Sequence, residues 1–235
     1  MREIRSSFSM EQVIAMSGLW MLLLGAVSPA KIHGNPANGL VALVNANRTA
    51  SKLPRLRTSA GLGCMALQYI SECIGREACG GDNTLASCDT PEDHITEVYA
   101  ANCGVELPTV GVITGRLIGC HRQRSDAEAA LQAVLSGNST APRASALAVI
   151  RGKEHTQVGA GFDRAHRHGP FFWSLLFSSG SANSTFLLEA AGKGIQQTHG
   201  CFSAPERLSC STAAAAANRT WLAAAAAALL IFFLS

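Results

Sequence analysis

The sequence predicts an α+β domain held by disulfides, and three observations predict it. Helix-period apolar patterns occupy 39–74, an aromatic-rich hairpin pattern lies at 157–178, and all eight cysteines fall between two terminal processing patterns. The hairpin carries the most weight. Two apolar runs, 158–162 and 171–177, flank a charged segment closed by Gly169-Pro170, the pattern of a β-hairpin with a solvated tip. Four of the nine Phe and one of the three Trp fall here, so much of the aromatic area available for burial is concentrated in one pair of strands. That pair is predicted to be the centre of a sheet, with Trp173 in the core.

The two ends of the chain are read as processing signals. Arg2 and Arg5 precede an apolar run at 13–27 that ends in Ser28-Pro29-Ala30, which predicts a secretory signal peptide over 1–30 with cleavage after Ala30. At the other end an apolar block, 221–234, follows small residues at 209–213 and a spacer containing Asn218-Arg219-Thr220. That order is the pattern of a glycosylphosphatidylinositol (GPI) attachment signal, and fourteen apolar residues are short for a stable bilayer span. The cysteines choose the attachment point. Cys64, Cys73, Cys79, Cys88, Cys103, Cys120, Cys201 and Cys210 are even in number, which predicts four disulfides in an oxidising compartment. Processing at Ser209 would discard Cys210 and leave an odd thiol, so Ser211 is the predicted attachment residue, with Ala213 next and 212–235 removed.

Removing the ends takes Lys plus Arg from 19 to 16 and Asp plus Glu from 16 to 14, so the mature chain, whose domain is predicted over 39–210, is near neutral. Near-neutrality and an extracellular setting argue against nucleic acid as a partner. The basic cluster of Arg116 with His121-Arg122-Gln123-Arg124 is read as a solvated loop.

The elements follow in order. Residues 31–38 are a short polar lead with Gly34 and Pro36, predicted to be poorly ordered. Leu40, Leu43, Val44 and Asn47 share one face of a helix ending near Thr49. Leu53-Pro54-Arg55-Leu56 is an extended link, because proline biases its predecessor away from helix. Thr58 or Ser59 caps a second helix running to about Ile74, with Leu62, Met65, Ala66, Tyr69, Ile70 and Cys73 on one face. A loop held by Cys79 and Cys88 spans 75–91, and 96–102 is a short strand or helical turn. The apolar stretch 107–118, broken by Gly111 and Gly115, takes no assignment. Ser125-Asp126-Ala127-Glu128 supplies an N-cap and first-turn acids for a helix over 127–135, terminated by Gly137. A short apolar segment, 144–150, leads into the hairpin.

Several pieces together resemble a family. Leu43-Val44-Asn45-Ala46-Asn47-Arg48 followed by the Leu-Pro link, the helix from Glu128 to Ser136, and Val158-Gly159-Ala160-Gly161 with Phe172-Trp173 and Phe177 resemble, in order and spacing, the CAP superfamily. That family comprises the cysteine-rich secretory proteins, antigen 5 and pathogenesis-related 1. Glu97-Val98-Tyr99-Ala100-Ala101-Asn102-Cys103-Gly104-Val105-Glu106-Leu107-Pro108 resembles more narrowly a group of plant GPI-anchored proteins with a degenerate CAP-like (SCP-like) domain. The resemblance implies a three-layer α-β-α sandwich at the outer face of the plasma membrane, and brings no known activity.

The chemistry follows from what that family's cleft needs. Its pattern of two His and two Glu is not matched here, since Thr140-Ala141-Pro142-Arg143 offers no imidazole and only His94 lies near Glu97. No metal, cofactor or catalytic residue is therefore predicted. Asp163, His166 and His168 at the hairpin tip are read as solvated, and His155 in His155-Thr156-Gln157-Val158 as a surface residue. No Gly-x-Ser-x-Gly elbow is present, and Gly159 and Gly161 are read as sites of close backbone packing. Asn138-Ser139-Thr140 and Asn183-Ser184-Thr185 are predicted glycan acceptors, with Asn47-Arg48-Thr49 a third at a helix end. The expected function is a lipid-anchored surface glycoprotein that binds a lipid, sterol or protein. The alternative is a hydrolase or metal-dependent enzyme using an altered cleft.

Overall fold

The computed structural model describes residues 34–76, 79, 84–86, 88–122, 126–137, 140–165, 169–192, 195, 199–204 and 210. Helix α1 spans Pro36–Ala50. Its start is set by Asn35, whose side chain accepts from Ala37 N at 3.0 Å, and by Pro36 in the first turn, where a missing N–H costs nothing. The lead predicted to be poorly ordered is thus already helical from Pro36. The buried stripe is Ala37, Leu40, Val41, Val44, Asn45 and Arg48, so Asn47 stands half out of the core.

Two polar members of that stripe shape the chain that follows. Asn45 grips the backbone of Leu56 from both sides, its Nδ2 donating to the carbonyl at 3.1 Å and its Oδ1 accepting from the amide at 2.7 Å. Arg48, 0% exposed, donates from Nε to Pro54 O at 2.9 Å. Its Nη1 donates to Ile150 O at 2.8 Å and Gly152 O at 2.7 Å. The Asn-x-x-Arg spacing places both groups on one helix face, and together they hold the Leu-Pro link and a loop a hundred residues later.

The link delivers β1 (Arg57–Thr58) to the sheet, and α2 (Ala60–Arg76) begins after Ser59, whose hydroxyl accepts from Leu62 N at 3.3 Å. All six residues predicted for its inner face are buried. Strand β2 (Thr84–Leu85) is a short piece inside the region read as a loop. Helix α3 covers 92–102, with a π-helical turn at Ile95–Tyr99. The second half of the unassigned stretch belongs to β3 (Ile113–His121). Helix α4 (Ala127–Ser136) is capped by Asp126, which accepts from Glu128 N and Ala129 N. Residues 144–150 belong to α5 (Thr140–Ile150), with Pro142 tolerated in its first turn.

The hairpin forms as predicted, from β4 (Gln157–Arg164) and β5 (Phe171–Ser178), and occupies the middle of the sheet. Strand order is β1-β4-β5-β3-β2, with β6 (Cys201–Phe202) pairing β4 beside β1; only β1 and β4 run parallel. Alternation along β5 divides the interior into two cores. Trp173, Leu175 and Phe177 face α1, α4 and α5, whereas Phe172 and Leu176 face α2 and α3. The result is a three-layer α-β-α sandwich, the architecture implied by the resemblance. Gly159 and Gly161 let α2 lie directly on β4: a Cβ on Gly161 would sit 2.7 Å from Leu67 N, and one on Gly159 would overlap Gly63 N.

Disulfides concentrate in one layer. Cys64–Cys103 joins α2 to the end of α3, Cys73–Cys88 and Cys79–Cys120 secure the loop around β2, and Cys201–Cys210 closes the C-terminal segment. No free cysteine remains. Cys79 and Cys88, predicted to hold the 75–91 loop, do so through β3 and α2. Closing a 15-residue loop such as Cys73–Cys88 is worth about 3 kcal/mol in the chain-entropy account.

Candidate functional site

Groups with chemical potential gather at three places. The first lies between α2 and α3. Glu72 Oε2 pairs with His94 Nε2 at 3.2 Å and accepts a hydrogen bond from the Tyr99 hydroxyl, and the His94 and Tyr99 rings meet edge to face at 5.2 Å. Burial first, and then the Glu72 carboxylate, push the Tyr99 phenol well above its ordinary range, so it remains a protonated donor. A carboxylate orienting an imidazole is half of a general-base device. Thr90 is 1% exposed and out of reach of a substrate. Glu97, on α3, is exposed.

The second place overturns a sequence reading. His155 is 2% exposed, not a surface residue. It lies in the opposite layer from His94, stacked on Phe177 with centroids 4.7 Å apart. Its Nε2 is 2.8 Å from Val149 O and its Nδ1 2.7 Å from Thr114 Oγ1. A carbonyl can only accept, so Nε2 carries the proton and Nδ1 accepts from the threonine hydroxyl. The fold therefore uses the neutral imidazole, and burial holds its pKa below the ordinary His value, partly offset by the Val149 carbonyl and Glu154. The sign for stability is direct. Below pH about 6.5 the unfolded chain takes up a proton at this site that the folded chain resists, so stability falls as pH drops. Urea midpoints measured at pH 7.5 and 5.5 should differ more for the wild type than for His155→Gln; equal differences would show that His155 stays solvated.

Asp163, read as solvated at the hairpin tip, departs from that reading too. It is buried, its Oδ1 accepts from Arg164 N at 2.7 Å, and its Oδ2 pairs with His199 Nδ1 at 2.5 Å. His166 and His168 lie outside the described residues. Among the described residues no three His, Cys, Asp or Glu come together as a metal-binding group.

The third place is the end of the sheet where β4 starts. Arg57 Nη1 donates to Asn183 Oδ1 at 3.0 Å, and Arg151 Nε donates to Asn47 Oδ1 at 3.2 Å. Two of the predicted glycan acceptors thus sit on one end of the domain, Asn183 exposed and Asn47 half-buried. Asn138, Ser211 and Ala213 lie outside the described residues. A cavity of about 370 Å³ opens here, lined in part by Pro54, Arg55, Arg57, His155 and Asn183. Around it stand Lys52, Arg55, Arg57, Arg151 and Lys153, all exposed, with Glu154 as the acid among them. Sequence reading missed this cluster because its halves are about a hundred residues apart and are brought together by tertiary contacts, the β1–β4 pairing, the Arg151–Asn47 hydrogen bond and the reach of Arg48. The basic cluster it did single out has structural tasks: Arg116 donates to Thr90 O, and Arg122 donates to Cys79 O at 3.1 Å.

No protein-family model matches the chain, and no curated protein matches it in sequence. One solved structure is similar in shape, a cysteine-rich secretory protein from Staphylococcus aureus. Identity is 16%, the TM-score is 0.39, and the match covers 65% of this chain and 40% of that one. The chain thus spans well under half of that protein, and nothing about a site or an activity transfers at this level.

Proposed function

We propose that this chain is an extracellular, lipid-anchored glycoprotein of the plant GPI-anchored type, whose stapled domain binds a partner at the outer face of the plasma membrane. Four disulfides belong to a protein matured in an oxidising, secretory compartment. The anchor itself is read from the C-terminal sequence pattern, and the Cys201–Cys210 disulfide supports the choice of attachment point. That disulfide makes Cys210 part of the folded domain, so processing upstream of it would break a staple, and Ser211 is the next residue. The small residues, spacer and terminal apolar tail supply the rest of the signal. Asn35 and Asn38 donate to the carbonyls of Phe202 and Ala204, so the start of the domain is held beside this corner.

Binding is favoured over catalysis because the groups available for chemistry serve the fold. His155 spends both ring nitrogens on Thr114 and Val149, and Glu72 receives Tyr99 as well as His94. A second reading, hydrolysis, is supported by the Glu72–His94 pair alone. Phosphatidylinositol-specific phospholipase applied to intact membranes should release the protein into the supernatant. Retention in the pellet would contradict the anchor.

A further inference from the structure

The cavity at the start of β4 lies beside a group of exposed side chains that is mainly basic. We propose that this end of the domain, with Lys52, Arg55, Arg57, Arg151 and Lys153, is a docking surface for an acidic polysaccharide, a chain bearing carboxylates on successive sugars. The proposal rests on the reading of this protein as an extracellular binding domain and names the ligand class.

Charge distribution is the first argument. Of the sixteen Lys and Arg in the predicted mature chain from Lys31, five are exposed around this end, and among the described residues Glu154 is the acid beside them. Exposed acids Asp89, Glu92, Asp93 and Glu97 follow β2, at the opposite edge of the sheet. A nearly neutral protein thereby presents a basic end, which concentrates polyanions locally although net charge does not.

Preorganisation is the second argument. Arg48 binds the carbonyls of Pro54, Ile150 and Gly152, fixing the two basic loops against one another. Lys52, Arg55, Arg151 and Lys153 flank those carbonyls in sequence. The loops are therefore held before any ligand arrives, and less entropy is lost on binding. The cavity, at about 370 Å³, is within the size range of small-ligand sites and can seat one sugar of a longer chain. Arginine forks match carboxylates bidentately. A glycan on Asn183 attaches through Nδ2, whereas Arg57 holds Oδ1, so both are compatible at the rim.

Position decides between an acidic polysaccharide and an acidic membrane. Arg57 pairs with Gln157, and Cys201 pairs with Phe162 five residues further along β4, about 17 Å away. A lipid attached just after Cys210 leaves the basic end at the other end of that strand from the bilayer.

The test uses purified full-length protein carried in detergent diluted below its critical micelle concentration, which leaves vesicles intact, with and without enzymatic removal of N-glycans, so the outcome does not depend on the anchor. Fluorescent polygalacturonate is the probe, its methyl-esterified form the neutral control, and phosphatidylserine vesicles the competing surface. The protein should bind polygalacturonate, bind the ester at least about tenfold more weakly, and lose affinity between about 50 and 200 mM salt. The triple change Arg55→Gln, Arg57→Gln, Lys153→Gln should cost about tenfold with an unchanged thermal midpoint, and Glu154→Gln should tighten binding. Equal binding of the ester, indifference to the triple change, or preference for the vesicles would overturn the proposal. Phospholipase release with no polygalacturonate binding would remove this ligand and leave the anchored domain standing.

Discussion

Arg48→Ala lowers the unfolding free energy by about 4 kcal/mol, read as a shifted urea midpoint. Three carbonyls in two loops lose a charge-assisted donor, each worth roughly 1.5–3 kcal/mol. The loss is reduced by the guanidinium's own burial cost, seen in its lowered pKa and in an Nη2 without a hydrogen-bond partner. Arg48→Lys should recover little, because a compact ammonium cannot span Pro54, Ile150 and Gly152 as the planar fork does. Limited proteolysis should then cut first within 51–56 or 150–156. A variant with wild-type stability would show that the two loops hold themselves.

Trp173→Ala has a comparable effect, about 3–5 kcal/mol, as the truncation of a fully buried aromatic. The indole sits in the centre of the sheet, paired with Gly119 on β3 and Phe162 on β4. A Cβ on Gly119 would overlap its Cζ2 and Cε2, so Gly119 is glycine because Trp173 occupies that space. The two sites are therefore coupled. Gly119→Ala should destabilise the wild type and cost much less in the Trp173→Ala background, a difference that a double-mutant cycle reads directly. Trp173→Phe should be milder, since the indole Nε1 is buried without a hydrogen-bond partner and its removal relieves that cost. Additive effects would show that the indole does not rest on Gly119.

The hairpin was legible because its aromatic runs and Gly169-Pro170 turn are local signals, and α2 because its apolar stripe is unbroken. Other elements were hidden by single residues. Pro142 separated the start of α5 from the apolar segment 144–150, although a first helical turn tolerates proline. Gly115 broke the pattern of β3, yet it is needed where the strand meets α5: a Cβ there would lie 3.0 Å from Val149 Cγ1 and 3.1 Å from His155 Cε1. His155 gave no periodic signal, since its burial comes from α5 and β5 closing over a loop residue. Tertiary contact also decides the basic end, because no window of sequence contains both Arg55 and Lys153.

The proposed tether lies just beyond Cys210, which the Cys201–Cys210 disulfide makes part of the domain. Its most direct test is the intact mass of protein released from membranes by phospholipase, after removal of N-glycans and thiol labelling without reduction. The predicted product runs from Lys31 to Ser211, carries the anchor remnant at its C-terminus and takes up no label. A mass that retains 212–235, or a chain that stops before Cys210 with one labelled thiol, would contradict it.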